Sequence, residues 1–225
     1  QEKEEQDTAK VKIGSSKIID DQFSNDSLDI HSEVSPLDIG SDRGLFILSS
    51  DRMMQMRIIG SVRALLNYGN QEMLNKTSFN PYEIPTDVSF SSPNFYADLS
   101  QTRIGFEVTR RTKKLGDLFI RIEADFNGAS NNLRIRHAYG QTKRFLIGQT
   151  WSLFSNVNFV PASVSGDGAP GSATKRNPQI RYYTSIKDVI GFSAAIEYST
   201  PELEIPDSLN VSLLQVIPDF TGRFT

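Results

Sequence analysis

Cysteine is absent from the 225 residues of this chain. Without it, the protein has no disulfide framework, no thiolate metal ligand and no cysteine nucleophile. Long hydrophobic runs are also missing, since no segment approaches the ~18 consecutive apolar residues that a membrane-spanning helix needs. No segment keeps a helical period over three turns. These absences exclude a helical membrane protein, but they leave a β-barrel open, because lumen-facing positions dilute the hydropathy of its strands.

Residues that often carry chemistry are scarce. The two histidines, His31 and His137, lie far apart in the sequence, which argues against a metal site. The glycine-rich stretch 163–172 lacks the residue order of a phosphate-binding loop. Glu123 and Asp125 could suggest a glycosidase pair, but acids that alternate with arginines are more simply the charges of a hydrated surface. The sequence therefore predicts no enzyme, no metal and no cofactor.

Charge is unevenly distributed along the chain. The whole sequence has 24 bases and 27 acids, and ten of the acids but only four of the bases lie in residues 1–40. We interpret residues 1–40 as an acidic segment that is flexible or periplasmic, and residues 41–225 as the folded part. Bases outnumber acids ten to four within residues 101–150. Within the strands, bases such as Arg121 and Arg134 stand singly between apolar residues, and the Lys113–Lys114 pair falls in a turn. No nucleic-acid reader motif is present, so we expect no nucleic-acid partner.

Apolar and polar residues alternate with a period of two from residue 43 onward, a pattern typical of β-strands. Several runs reach about ten residues, the length that a tilted strand needs to cross a bilayer, whereas strands of other sheets usually have about five or six. The clearest of about ten such runs are 43–50, 54–69, 97–111, 116–128, 131–139, 145–154, 178–185 and 189–199.

The connections between these runs alternate between short and long. Residues 111–117 and 140–144 form short turns, whereas residues 70–95 and 152–177 form long loops. Short turns at one rim and long loops at the other are typical of an outer-membrane barrel. We therefore predict an all-β fold, a transmembrane antiparallel β-barrel. A β-sandwich binding module, and a structural barrel subunit of a larger outer-membrane assembly, remain alternatives.

Within a barrel, the apolar face of each strand contacts lipid and the opposite face borders the lumen. In the run 133–139, strict alternation places His137 and Tyr139 on the apolar face and Arg134 and Arg136 on the lumen face. Arginine dominates that second face, and a ring of arginines makes a pore selective for anions. The predicted lipid-facing residues include Ile104, Phe106, Ile120, Ile122, Ile135 and Phe192. The predicted pore-lining residues are Arg57, Arg63, Arg103, Glu107, Arg121, Glu123, Asp125, Arg134, Arg136 and Arg181.

Aromatic residues near strand ends are typical of the girdles that a barrel places at the two lipid–water interfaces. The predicted girdle residues are Tyr68, Tyr139, Trp151 and Tyr198.

Three short motifs resemble the DcaP-like porin family of Gram-negative outer membranes. They are R-x-R-H-A-Y at residues 134–139, G-Q-T-W at residues 148–151 and P-Q-I-R at residues 178–181. The resemblance extends over residues 43–225 and is densest in residues 100–184. It implies a homotrimeric barrel in outer-membrane lipid, with a basic lumen that passes small anionic solutes such as dicarboxylates.

The resemblance also implies that the segment after Trp151 folds inward as a constriction loop. We expect Asp167, Lys175 and Arg176 to lie near the narrowest point. Barrels of this family have about sixteen strands, whereas the pattern here gives about ten. An open sheet would leave two unpaired edges in lipid. We therefore expect this sequence to be the N-terminal part of a longer barrel, and a barrel that closes differently is the alternative.

Overall fold

A computed structural model describes residues 45–49, 53–70, 93–112, 116–157, 160, 174–186, 190–199 and 215–225. These residues contain eleven β-strands and one 3₁₀ turn at Ala129–Asn131. The strands are Leu45–Leu48 (β1), Met54–Ser61 (β2), Leu65–Gly69 (β3), Asn94–Asp98 (β4), Arg103–Thr112 (β5), Gly116–Asp125 (β6), Arg134–Gln141 (β7), Phe145–Trp151 (β8), Arg176–Ile186 (β9), Ile190–Glu197 (β10) and Asp219–Phe224 (β11). The predicted acidic segment 1–40 and Asp167 lie outside the described residues. No helix in the described part of the chain is long and apolar enough to span a membrane.

Nine of the strands form one antiparallel sheet. Their order in the sheet is β1, β2, β5, β6, β7, β8, β9, β10, β11. The strands β3 and β4, which follow β2 and precede β5 along the chain, pair with each other in a separate two-stranded sheet. Strands that follow each other along the chain are therefore neighbours in the sheet, apart from this one insertion. Such an up-and-down order is what short connections between long strands produce.

Two runs that the alternation predicts as continuous strands are divided in the structure. Residues 54–69 form β2 and β3, with a break at residues 62–64, and residues 97–111 are shared between β4 and β5. At the break, the Thr102 hydroxyl accepts a hydrogen bond from the Arg63 amide at 3.3 Å. The side chain thus takes the place of a strand-to-strand backbone bond, which a period-two pattern cannot reveal.

The large sheet has two faces of opposite chemistry. On the face that we call the apolar face, large hydrophobic side chains remain exposed, including Ile104, Phe106, Ile120, Ile122, Ile135, Ile147, Ile180 and Ile196. On the face that we call the polar face, charged side chains are buried, namely Arg103, Glu107, Arg121, Glu123, Asp125, Arg136, Arg181 and Glu197. A sandwich in water buries its apolar side chains and exposes its charges. The inverted arrangement here is the one expected of a barrel wall with hydrocarbon outside.

Candidate functional site

The strand register brings predicted pore-lining charges from β2, β5 and β6 into one row on the polar face. Arg57 of β2 lies opposite Glu107 of β5, and Glu107 lies opposite Arg121 of β6. Directly opposed residues share a face of the sheet, so their side chains meet across the strands. Opposite charges therefore alternate along this row.

Ion pairs extend this row into a network that we call the ion-pair ladder. The Arg121 guanidinium lies 3.1 Å from a Glu107 oxygen and 2.6 Å from a Glu123 oxygen. Arg57 lies 3.9 Å from Glu107, and Arg103 lies 3.7 Å from Glu123. Apart from Arg57, the side chains of these residues are at most 7% exposed, so the pairs are screened far less than pairs in bulk water.

The ladder continues onto β7 through Asp125. The Arg136 guanidinium lies 3.1 Å from a Glu123 oxygen and 3.0 Å from an Asp125 oxygen, so it links the two acids. Arg134 donates to both Asp125 oxygens, at 2.9 Å from Nε and 2.8 Å from Nη2, in the planar fork that guanidinium and carboxylate groups share. The complete ladder holds five arginines and three acids, which gives a formal charge of +2.

The pairing changes what the arginines can do chemically. A ring of separate guanidinium groups would offer its full charge to a solute, whereas each arginine of the ladder already contacts at least one carboxylate. The remaining field is a modest positive excess from groups that are held in fixed positions.

A β-bulge interrupts the register between β6 and β7. Glu123 lies opposite His137 and Ala124 lies opposite Ile135, so that Arg136 is the extra residue on β7. A bulge of this kind re-aims the side chains that follow it. Here it places two consecutive residues, Arg136 and His137, on the polar face, where they are 5% and 2% exposed.

Because of the bulge, His137 and Tyr139 lie on the polar face of the sheet and not on the apolar face that the sequence predicts. The sequence pattern places both on the apolar face, but Tyr139 lies opposite the buried Arg121 and shares its face. Its ring lies 6.3 Å from the His137 ring. His137 Nδ1 is 3.0 Å from the Thr150 hydroxyl. One extra residue shifts the alternation by one position, so the predicted face is wrong for His137 and Tyr139, whereas Arg136 remains on the polar face.

The predicted aromatic girdle is wrong for two of its four members. Tyr139 lies on the polar face, and Trp151 is 8% exposed, packed in a buried cluster with Val157 and Val160. The Trp151 ring also lies 5.9 Å from the His137 ring. Protein covers the Trp151 ring, and the half-buried Tyr139 ring lies on the face of the sheet opposite the apolar one, so neither fits a girdle in contact with lipid headgroups.

The other two predicted girdle residues, Tyr68 and Tyr198, are exposed, and their girdle role stays a prediction.

Among the predicted pore-lining residues, Arg63 lies at the break between β2 and β3, outside the ladder. Arg181 also lies on the polar face. Its guanidinium donates hydrogen bonds to other parts of the protein, namely to the Gln179 side chain at 2.9 Å and to the Trp151 carbonyl at 2.6 Å.

The chain crosses the polar face after Trp151. Leu153, Ser155 and Val157 are 3%, 2% and 1% exposed. The Ser152 amide donates to the Lys175 carbonyl at 2.8 Å, and the Lys175 amide donates to the Ser155 hydroxyl at 3.1 Å. The two ends of the long loop are therefore tied together where it leaves the sheet.

Two of the three residues predicted for the constriction, Lys175 and Arg176, lie in the described part of the chain. The Arg176 guanidinium lies 4.4 Å from the centre of the Trp151 ring, and Lys175 contributes the backbone contacts above, whereas Asp167 is outside the described residues. Sequence reasoning missed Arg223 of β11, which donates to the Leu153 and Ser155 carbonyls. The alternation in residues 219–224 carried a signal, since it places Arg223 on the face opposite Phe220 and Phe224, and the pairing of β11 with β10 then puts it on the face of Glu197.

Comparison with known proteins gives two matches. A model of the DcaP outer membrane protein family matches residues 40–200. The crystal structure of the outer membrane channel DcaP of Acinetobacter baumannii matches with a TM-score of 0.64 at 26% sequence identity. That match covers 79% of this chain and 50% of the other, so the chain spans about half the length of the solved channel. No curated protein gives a significant match.

Proposed function

The chain belongs to the DcaP outer membrane protein family, and we propose that it forms a wall of a channel through which small solutes diffuse passively. The protein is located in the outer membrane of a Gram-negative bacterium. The observation that carries the proposal is the inverted chemistry of the nine-stranded sheet, apolar where it is exposed and charged where it is covered. Purified protein in a planar lipid bilayer tests the proposal, because a channel produces stepwise conductance increases whereas a structural barrel with an incidental, closed lumen does not.

The apolar face should be covered by lipid in intact membranes. We expect cysteines at Ile122→Cys and Ile180→Cys, both on the exposed apolar face, to react slowly with a membrane-impermeant thiol reagent. A cysteine at Thr109→Cys, on the opposite face of the sheet and half-buried, should react faster because water reaches the lumen. The chain contains no other cysteine, so each signal is unambiguous. Fast labelling at positions 122 and 180 with none at 109 would reverse the assignment of the faces.

We further propose that the channel prefers anions, with dicarboxylates and similar small acids as the solute class. The support is the formal charge of +2 on the ion-pair ladder. Because the field acts through water, it is screened over about 10 Å at 0.1 M salt, and the preference should weaken as ionic strength rises. Homotrimeric assembly is part of the same proposal, since the family resemblance implies it.

The double variant Arg134→Ala and Arg136→Ala should lose the anion preference. It removes both guanidinium groups that bind Asp125, so the ladder becomes formally neutral and the Asp125 carboxylate loses the partners that offset its charge. The reversal potential across a salt gradient should therefore move toward the cation side, with the anion-to-cation permeability ratio falling several-fold.

Arg110→Ala provides the control for this measurement, because it removes one positive charge from an exposed position of β5 outside the ladder. Its reversal potential should stay close to that of the wild type. A wild-type channel that prefers cations, or a double variant with an unchanged ratio, would contradict the anion preference. Stable insertion without any conductance would favour the alternative of a structural barrel in a larger assembly.

A further inference from the structure

The segment that follows Trp151 runs across three strands. On β9, Arg181 donates to the Trp151 carbonyl at 2.6 Å. On β10, the Glu197 carboxylate accepts a hydrogen bond from the Leu153 amide at 2.7 Å. On β11, Arg223 donates to the Leu153 carbonyl at 2.6 Å. The same guanidinium nitrogen donates to the carbonyl of the next alternate residue, Ser155, at 3.0 Å.

A turn shapes the segment between these contacts. The Ser155 amide donates to the Ser152 carbonyl at 3.0 Å, which closes a turn over Leu153 and Phe154. Trp151 therefore meets β9, Leu153 meets both β10 and β11, and Ser155 meets β11. The segment thus passes over the polar face toward β11 in a folded rather than an extended conformation.

The acid on β10 binds a backbone amide of the segment, and the arginine on β11 binds backbone carbonyls. A chain that leaves a sheet has amide and carbonyl groups without ladder partners, and burial makes such groups unfavourable unless they are bonded. An acid can bind only the amide, and a guanidinium can bind only the carbonyls. Glu197 and Arg223 thus hold the two sides of Leu153 in a single orientation.

Glu197 is itself fixed in place. It is 1% exposed, and the Thr221 hydroxyl donates to the same oxygen that binds Leu153, at 2.9 Å. The Asn177 amide donates to its other oxygen at 3.1 Å. Both partners come from neighbouring strands, so the sheet itself orients the carboxylate toward the segment.

We propose that Glu197 and Arg223 are positioning residues that clamp residues 152–157 over the polar face and thereby set the width of the channel at this level. The effect on width rests on the proposed channel function, whereas the effect on the position of the segment does not. Neither residue needs to contact a solute.

The position of the segment is tested by a cysteine at Val157→Cys. Val157 is 1% exposed, valine and cysteine are similar in size, and the chain has no other cysteine to react. With the intact protein in outer membranes, a small hydrophilic thiol reagent should label this position slowly. Adding Arg223→Ala removes two charge-assisted hydrogen bonds and should accelerate labelling about ten-fold, because the segment opens more often.

Three further variants separate the clamp from general destabilisation. Glu197→Gln keeps the side-chain size and loses the charge, and it should also accelerate labelling. Arg223→Lys restores a cation at the same place and should bring the rate back toward that of Val157→Cys alone. Arg110→Ala, which removes an exposed arginine from β5, should leave the rate unchanged. Heat-dependent gel mobility identifies the variants that have folded.

The conductance of the same variants tests the second half of the proposal. Arg223→Ala and Glu197→Gln should raise the single-channel conductance and the open-channel noise, since a released segment no longer defines the lumen. Unchanged labelling in folded variants of both kinds would overturn the clamp. Faster labelling with unchanged conductance would overturn its role in setting the width. If the wild type itself does not conduct, the channel function fails, and the labelling rates still decide where the segment lies.

Discussion

Replacement of Gly148 by alanine should prevent the chain from folding into a barrel wall. Gly148 has φ +129°, a conformation that residues with a side chain rarely adopt. A Cβ atom there would lie 2.7 Å from the Tyr139 Cα and closer still to the Ala138 carbonyl oxygen. Both obstacles are backbone atoms of β7, and Gly148 pairs directly with Tyr139. Relief would require the two strands to separate, which removes the hydrogen bonds that join them.

The matched control for this variant is Gly140→Ala. Gly140 lies one strand away, and a Cβ atom there has no heavy atom within 4 Å. We expect Gly140→Ala to reach the outer membrane and to show the heat-dependent gel mobility of the folded wild type, whereas Gly148→Ala should be unfolded or degraded. Equal yields of folded protein for the two variants would show that the β7–β8 pairing is looser than the structure indicates.

Loss of the Glu123 carboxylate should be the most destabilising single change within the ion-pair ladder. Glu123 has 0% of its surface exposed. It lies 2.6 Å from Arg121, 3.1 Å from Arg136 and 3.7 Å from Arg103. Glu123→Ala leaves three guanidinium groups close together with one acceptor fewer. Removing one partner of a buried ion pair costs about 3–5 kcal/mol, and the midpoint of unfolding in urea should fall accordingly.

The same strand offers a control for this change. Asp117→Ala removes a half-buried carboxylate at the turn end of β6 and should lower the free energy of unfolding by less than about 1 kcal/mol, as expected for a substitution near the surface and outside the ladder. Glu123→Gln keeps one acceptor oxygen, so its loss of unfolding free energy should lie between the losses of Glu123→Ala and Asp117→Ala. Those Glu123→Gln molecules that do fold should prefer anions more strongly than the wild type, because the ladder has lost a negative charge. If Glu123→Ala unfolded no more easily than Asp117→Ala, the ladder would contribute little to stability.

The sequence motifs and the alternation were sufficient to predict the family and the antiparallel β-barrel architecture, and both predictions are confirmed. Alternation is a local property, since successive side chains of any strand point to opposite faces. A residue such as Ile122 can therefore be assigned to the apolar face without knowledge of its neighbours on other strands. The same reasoning places Arg121 on the polar face.

Contacts between strands could not be predicted in this way. The partners of Arg136 depend on the register of β7 against β6, and the bulge that sets this register leaves no mark in the alternation. Trp151 has the position of a girdle residue in the sequence, but the loop that follows it supplies Val157 and Val160 to cover its ring. Only the folded loop could decide that outcome.

The sequence by itself determined that this protein has strands with one apolar and one charged face, because a two-residue period needs only neighbouring residues to establish it. The tertiary structure decided what the charges do. It paired the arginines with acids on adjacent strands and left an excess of two positive charges in the ladder. It also brought Arg223 to the carbonyl of Leu153, 70 residues earlier in the chain. Such contacts depend on how many strands lie between the two residues and in which register, and that information exists only when the whole sheet has formed.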